Sequence, residues 1–273
     1  MKNHIKTLLS TSALFSTLFL SSNMAQASGL LVNVQQYYHQ LPDSVSDVCL
    51  KHDNCPTIEV SYINSTQPWI NTLINQNVNQ LIAGDAKYQP VSFVDYHVNV
   101  PKEVQTTLDN FAKSQIEDMS GSQGLPYSKS VEPAYLGHVG SLELFSIGGY
   151  DYFGGAHGMG FVFYSILDSD LKQEIGLDDI LIANQKPVLS KLVEAEFDKW
   201  IIEQGMTPSE HKAYWKFRLT NNVTFTPEGL SFLHQPYEVG PYAAGMPEFT
   251  VPYAKLKGVL KPKYLKLGKQ FSE

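Results

Sequence analysis

The chain has 273 residues, with 27 acidic side chains against 20 basic ones and a formal net charge of −7. This acidic balance argues against a nucleic-acid partner, because binding to phosphates requires clustered positive charge. Arginine, the residue best suited to bidentate contacts with phosphates and bases, occurs only once, at Arg218. We therefore expect no nucleic-acid function.

Residues 1–27 have the organisation of a secretory signal peptide. Lys2 and Lys6 precede an apolar, hydroxyl-rich stretch that ends before the small-residue pattern at residues 25–27. This stretch is short and rich in Ser and Thr for a membrane span, although an uncleaved anchor is the alternative. Cleavage after Ala27 predicts a periplasmic or secreted chain, in which no later segment is apolar enough to span a membrane.

A disulfide bond is expected between Cys49 and Cys55, the two cysteines of the chain. Exported proteins meet an oxidising compartment, where paired thiols are usually oxidised. The bridge would hold an N-terminal lead, residues 28–56, against a strand predicted at residues 57–63. Two cysteines without a matching cluster of histidines do not complete a zinc site, so we expect no metal and no cofactor.

The periodicity of the remaining chain predicts an α+β fold, because strands cluster between helices rather than alternating strictly with them. Helices are expected at residues 68–83, 101–116, 176–181, 187–204 and 253–260, with a capping box at 207–210 that starts another. After a loop at 121–133, strands are expected at residues 134–139, 141–153, 160–167, 223–225, 230–234 and 249–251.

These elements predict two small mixed halves, each with antiparallel sheets packed by helices. We place the first at residues 57–153, the second at 154–265, and a basic tail at 266–273. Lysines gather towards this end of the chain, from Lys255 to Lys269. They are typical of a solvated helix face and tail, and contact with an anionic envelope polymer is the alternative.

Known catalytic motifs are absent from the sequence. It contains no His-Glu-x-x-His zinc motif, no Gly-x-Ser-x-Gly nucleophile elbow and no phosphate-binding loop. A Ser-x-x-Lys pattern occurs at residues 169–172, but it lies in a predicted turn without the Lys-Thr-Gly strand that accompanies it in penicillin-recognising enzymes. We expect that the protein is not an enzyme.

A glycine-rich loop at residues 154–158 follows an aromatic strand and contains His157. Glycine allows backbone conformations that other residues avoid. His157 has two interpretations: a general base or ligand-binding residue, or a structural side chain whose ring bonds to backbone groups.

A proline-rich loop at residues 235–248 contains Tyr237, Glu238, Pro241 and Tyr242. Prolines reduce the entropy that a loop loses when a partner immobilises it, and tyrosines offer large contact areas. We therefore consider these four residues, with His157, as candidate ligand-binding residues. The alternative is that Tyr237 and Tyr242 fold back onto the sheet as structural lids.

These two loops also carry a family resemblance. Residues 154–158 and 237–245, followed by 248–252, resemble signatures of an extracytoplasmic domain family shared by RsiV-type anti-sigma factors and PdaC-type peptidoglycan deacetylases. The resemblance covers residues 55–260 and implies a PdaC-like first half and an RsiV-like second half. We expect neither the sigma-binding segment and membrane helix of the first type nor the catalytic domain of the second.

The resemblance implies a cell-envelope binding protein that recognises lysozyme-like hydrolases or cell-wall glycan, because the RsiV branch resembles lysozyme receptors. Two other hypotheses stay open. One is a cell-wall hydrolase that uses His157 with a carboxylate such as Asp151 or Glu238. The other is a structural envelope protein without a soluble ligand.

Overall fold

The computed structural model describes residues 29–95, 97–118 and 124–270, so the expected signal peptide lies outside the described residues. The helices are α1 (Asp43–Cys49), α2 (Pro68–Ala83), α3 (Lys102–Asp118), α4 (Leu177–Ile180), α5 (Lys186–Glu203), α6 (Pro208–Lys212) and α7 (Pro262–Lys269). The strands are β1 (Val32–Tyr37), β2 (Thr57–Ser65), β3 (Ser92–Val94), β4 (His97–Asn99), β5 (Ser128–Val139), β6 (Leu142–Tyr152), β7 (Met159–Asp168), β8 (Gln173–Ile175), β9 (Val223–Phe225), β10 (Gly229–Leu233) and β11 (Glu248–Pro252).

A six-stranded sheet with the order β1-β2-β5-β6-β7-β8 forms the centre of the fold. Its neighbours are antiparallel except for β2 and β5, which are parallel. A three-stranded antiparallel sheet, β11-β10-β9, and the small β3-β4 hairpin complete the strands. The expected α+β class is therefore confirmed.

The central sheet runs through the boundary that the sequence suggested between residues 153 and 154. Strand β6 lies before this boundary and β7 after it, yet the two pair over ten positions, from Leu142 with Asp168 to Asp151 with Met159. The lead at residues 28–56 also joins this sheet, because β1 pairs with β2. The two halves therefore share one sheet.

Two hydrophobic cores lie on opposite faces of the shared sheet. Phe145 and Ile147 of β6 pack into one core with α2 and α3, whereas Leu142 and Leu144 pack into the other with α5 and the three-stranded sheet. Alternate residues of a strand point to opposite faces, so β6 contributes to both cores at once.

Asparagine side chains of α2 occupy an edge of β2. Strand β5 pairs with β2 only as far as Val60, which leaves the following residues of β2 without a strand neighbour on that side. Asn75 accepts a hydrogen bond from the Ile63 amide and donates one to the Ile63 carbonyl, both at 2.9 Å. Asn71 makes the same pair of bonds to Ser65, at 2.8 and 3.2 Å. These carboxamides therefore replace a missing strand.

The expected disulfide is confirmed: Cys49 at the end of α1 is bonded to Cys55, just before β2. The capping box is confirmed as well, because the Thr207 hydroxyl accepts a bond from the Glu210 amide at 3.3 Å and the Glu210 carboxylate accepts one from the Thr207 amide.

Within the described residues, no helix combines the length and apolar character needed to cross a bilayer.

Two element predictions were wrong in their bounds. The loop expected at residues 121–133 ends earlier, because β5 begins at Ser128 and includes Pro133. Strand β2 pairs with β5 only up to Val131, so β6 is the one strand neighbour at Pro133, which is in register with Ile147, and proline is tolerated at such an edge position. The helix expected at residues 253–260 is a single 3₁₀ turn, Tyr253–Leu256.

Candidate functional site

The glycine-rich loop leaves β6 through two residues with left-handed backbone, Gly154 and Gly155, at φ of 86° and 87°. Gly158 closes the loop: its amide donates to the Tyr150 hydroxyl at 3.0 Å. A Cβ atom at Gly158 would lie 2.4 Å from Cζ of Tyr150, so only glycine fits under this ring. The glycine at position 158 is therefore explained by the close approach of the loop to β6.

His157 is exposed at the tip of this loop. Its ring stacks on Tyr242, with centroids 3.8 Å apart and an interplanar angle of 16°. Its Nδ1 atom lies 3.0 Å from the Gly158 carbonyl oxygen. The structure thus brings together His157 and Tyr242, two of the residues that the sequence singled out in separate loops.

The carboxylates suggested as catalytic partners of His157 have other partners. Asp151 forms an ion pair with Lys129 at 2.6 Å, beside the rings of Phe111 and Phe153. Glu238 accepts a hydrogen bond from the Gln235 amide at 2.8 Å, which closes the turn at the start of the proline-rich loop. In the described part of the chain, no three His, Cys, Asp or Glu side chains are grouped to hold a metal ion.

The two tyrosines of the proline-rich loop have different surroundings. Tyr242 is half-buried, and its hydroxyl donates to the Gly158 carbonyl at 3.0 Å, so it ties the two loops together. Tyr237 is 46% exposed and has a φ of 68°. Bulky side chains rarely adopt this left-handed conformation, and such strain is typical of functional positions.

The first part of the proline-rich loop is anchored at two points. The Gln235 side chain donates to the Val162 carbonyl of β7 at 2.6 Å. Nε2 of the buried His211, on α6, lies 2.8 Å from the Val239 carbonyl. Pro241 is exposed, and its carbonyl starts the 3₁₀ turn Tyr242–Ala244 by accepting from the Ala244 amide. A loop held in this way loses little entropy when it binds a ligand.

The exposed Tyr237 lies at the edge of an open cleft of about 710 Å³. The lining includes Tyr214, Trp215, Lys216, Arg218, Tyr237 and Glu238. We call this the aromatic cleft. Trp215 and Tyr237 line the cleft, with ring centroids 6.5 Å apart. Beyond the lining, the row of rings continues from Tyr237 to Tyr242 and His157, with centroids 5.9 and 3.8 Å apart.

Sequence reasoning found the loop side of this cleft and missed the opposite wall, residues 214–220. The missed signal is an alternation after α6: Tyr214, Lys216 and Arg218 are exposed, whereas Trp215 and Phe217 are half-buried. Tyr214 is 86% exposed, which is unusual for so large a ring. In the sequence alone, an alternation of polar and aromatic residues over five positions did not indicate a binding surface, because the segment matches neither a helix nor a strand.

Buried His234 supports the wall from below. Its Nε2 atom lies 3.0 Å from the Arg218 carbonyl, which fixes the backbone of the wall. Burial lowers the pKa of the His234 imidazole, although the bond to Arg218 and the nearby Glu238 carboxylate act in the opposite direction. The lowered pKa favours the neutral ring, which supports the wall through its contact with the Arg218 carbonyl.

Comparisons with known proteins identify the part of the chain that contains the cleft. Residues 178–254 match a family model described as "Protein of unknown function (DUF3298)". This DUF3298 match includes the proline-rich loop and the wall at residues 214–220, while the glycine-rich loop precedes it. No curated protein matched the chain.

Solved structures of DUF3298 proteins resemble the whole fold. A DUF3298 family protein from Pseudomonas aeruginosa PAO1 has a TM-score of 0.62 and 17% identity, over 85% of this chain and 93% of that one. A member from Bacteroides fragilis NCTC 9343 has a TM-score of 0.61 and 18% identity, over 88% and 98% of the two chains. At these identities the likeness establishes a shared fold, and the family description names no ligand.

Proposed function

We propose that the chain is an exported cell-envelope protein of the RsiV/PdaC-like type that binds cell-wall glycan in the aromatic cleft. The observation that carries this proposal is the group of three aromatic rings, Tyr214, Trp215 and Tyr237, in the lining of one open cleft. Flat rings in an open groove suit a chain of sugars, whose C–H faces pack against aromatic faces. Polar groups beside the rings, such as Lys216 and Glu238, suit sugar hydroxyls.

A binding role fits this geometry better than hydrolysis. Most glycoside hydrolases use two carboxyl groups on either side of the scissile bond. The aromatic cleft has Glu238 in its lining, and this carboxylate closes a turn of its own loop. His157 is stacked on Tyr242 and bonded to backbone, as expected of a residue that shapes a surface.

A lysozyme-like hydrolase is the second candidate ligand. The net charge of −7, which becomes −9 without Lys2 and Lys6, favours a basic protein partner. The resemblance to RsiV-type lysozyme receptors points the same way. The open cleft and the exposed Tyr214 and Tyr237 would then be the centre of a protein interface, where large aromatic residues commonly dominate the binding energy.

Titration with peptidoglycan-derived oligosaccharides and with lysozyme tests these candidates. Replacing Tyr237 by Gly removes the ring and keeps the backbone conformation, and Trp215→Ala removes the next ring of the row. Each variant should lose about thirtyfold or more in affinity, the usual cost of about 2 kcal/mol for an aromatic anchor. Tyr38→Ala is the matched control, since Tyr38 is 79% exposed and lies outside the cleft.

The outcomes separate the hypotheses. Glycan binding that is lost in the two cleft variants and kept in Tyr38→Ala supports the proposal. Lysozyme binding with the same pattern moves the function to the second candidate. Release of reducing ends from glycan by the wild type, abolished in His157→Ala, would show a hydrolase. If no ligand binds at millimolar concentration, the binding function is wrong.

A further inference from the structure

The wall of the aromatic cleft at residues 214–220 carries two cations that face the ligand space. Lys216 and Arg218 are both exposed, and both line the cleft. Tyr214, also exposed, lines the same cleft beside them. Positive charge in this cleft is notable because the chain as a whole carries a net charge of −7.

Neither cation is neutralised within the described residues. Ion pairs there engage other lysines, among them Lys129, Lys212 and Lys263, but no described carboxylate lies within 4.0 Å of the charged groups of Lys216 or Arg218. Glu238 contributes one negative charge to the lining, and its Oε2 is turned to the Gln235 amide of its own loop. The lining therefore has a net positive charge.

The wall is also held in place before any ligand arrives. The Arg218 carbonyl is bonded to buried His234, and the Asn222 side chain bonds to β7, accepting from the Tyr164 amide at 2.7 Å and donating to the Val162 carbonyl at 2.8 Å. An arginine on a fixed backbone presents a planar fork that matches both oxygens of a carboxylate.

We propose that the aromatic cleft selects saccharides that carry carboxylate groups, with Arg218 as the specificity-determining residue. Trp215 and Tyr237 pack against sugar faces, and the Arg218 guanidinium forms a bidentate ion pair with a carboxylate on the same ligand. Lys216 adds a second positive charge beside it. This inference rests on the proposed glycan binding, and it names the chemical class of the glycan.

The carboxylate has two sources in extracellular glycans: a uronic acid ring, or the peptide attached to muramic acid. Three probes distinguish them: an oligogalacturonate, a muramyl-peptide oligosaccharide, and a neutral oligomer of N-acetylglucosamine of similar length. We expect the wild type to bind at least one carboxylated probe tenfold or more tightly than the neutral one. This preference should shrink as salt concentration rises, because exposed charges are screened.

Arg218→Gln should remove the preference, because affinity for the carboxylated probes should fall tenfold or more and that for the neutral oligomer by a much smaller factor. Arg218→Lys keeps the charge but loses the fork, so it should keep only part of the preference. Lys257→Gln is the matched control, since it changes net charge equally at an exposed lysine outside the cleft.

The results separate this inference from the proposal on which it rests. If the wild type binds the neutral and the carboxylated probes equally, the carboxylate inference is wrong and glycan binding stands. An Arg218→Gln variant that weakens all probes equally also overturns it, because the residue would then be structural. If no saccharide binds, the glycan function and this inference fail together.

Discussion

At the scale of single residues, the backbone of Tyr237 distinguishes it from the other described residues that line the aromatic cleft. Its φ of 68° lies in a region where a Cβ atom clashes with the neighbouring carbonyl. Glycine avoids this clash, so a sequence selected for stability alone would favour glycine at this position. We propose that contact of the aromatic ring with a ligand outweighs this conformational cost.

Replacing Tyr237 by Gly should consequently yield a more stable protein than replacing it by Ala. Both variants lose the ring, but only Ala keeps the strain, so the free energies of unfolding should differ by about 1 kcal/mol in favour of Gly. Urea denaturation with equal slopes measures the difference. Equal midpoints for the two variants would mean that the residue relaxes out of the left-handed region.

The lowered pKa of buried His234 predicts that the free energy of unfolding depends on pH. Burial lowers the pKa of its imidazole in the folded state, so the unfolded chain binds the proton more readily. The stabilisation is therefore present above pH ~6.5, the ordinary value for histidine, and is lost as the pH falls below it.

Unfolding free energies of the wild type and of His234→Gln, measured from pH 8 to pH 5, test this point. The advantage of the wild type should decrease as the pH falls below ~6.5. Buried His39, whose pKa is also lowered by desolvation, is present in both proteins, so its effect cancels in the difference. Two parallel curves would show that His234 does not titrate in this range.

At the scale of the elements, the regular periodicity was sufficient for most helices and strands. The apolar spacing of α2 and the Thr207 capping box placed both helix starts correctly. Periodicity failed where the environment of a residue decided its structure: Pro133 lies inside β5 because its neighbour strand has already diverged. The wall at residues 214–220 was missed for a similar reason, since its importance comes from loops that are distant in sequence.

The polar positions of α2 illustrate the same limit. In the sequence, Asn71 and Asn75 are ordinary polar residues of an amphipathic helix, yet Asn75 is only 3% exposed and satisfies both backbone groups of Ile63. An asparagine that pairs with a strand edge cannot be distinguished, from one sequence, from an asparagine that faces water.

Asn75→Leu should therefore be strongly destabilising, although leucine suits both a helix and a core. It leaves the Ile63 N–H and C=O buried without partners, which costs roughly 2–5 kcal/mol for the pair. Asn77→Leu on the same helix is the control, because Asn77 bonds to the exposed part of Glu174 and its loss should cost less than about 1 kcal/mol. Similar costs for both variants would contradict the strand-like role of Asn75.

At the scale of the whole molecule, one sheet serves both cores. Strand β6 buries Phe145 and Ile147 on one face and Leu142 and Leu144 on the other. Neither core can lose its packing without disturbing the strand that the other one needs. The two halves suggested by the sequence are therefore expected to be one cooperative folding unit.

Tryptophan fluorescence can test this cooperativity. Trp69 reports on the first core, and Trp200 reports on the second. One variant, Trp69→Phe, keeps Trp200 and Trp215, and a second variant keeps only Trp69. Their fluorescence transitions in urea should have the same midpoint, and this midpoint should match that of the circular dichroism signal. Two separated transitions would instead support independent domains on either side of residue 153.

The carboxamides that pair with β2 and β7 have a further consequence for how the folded protein behaves at high concentration. An open strand edge is a template for hydrogen bonding to another chain, and it promotes aggregation. Asn71 and Asn75 occupy the free edge of β2, and Asn222 and Gln235 occupy that of β7. Each edge is thus closed by side chains of its own chain, so concentrated folded molecules meet no open backbone in these two places.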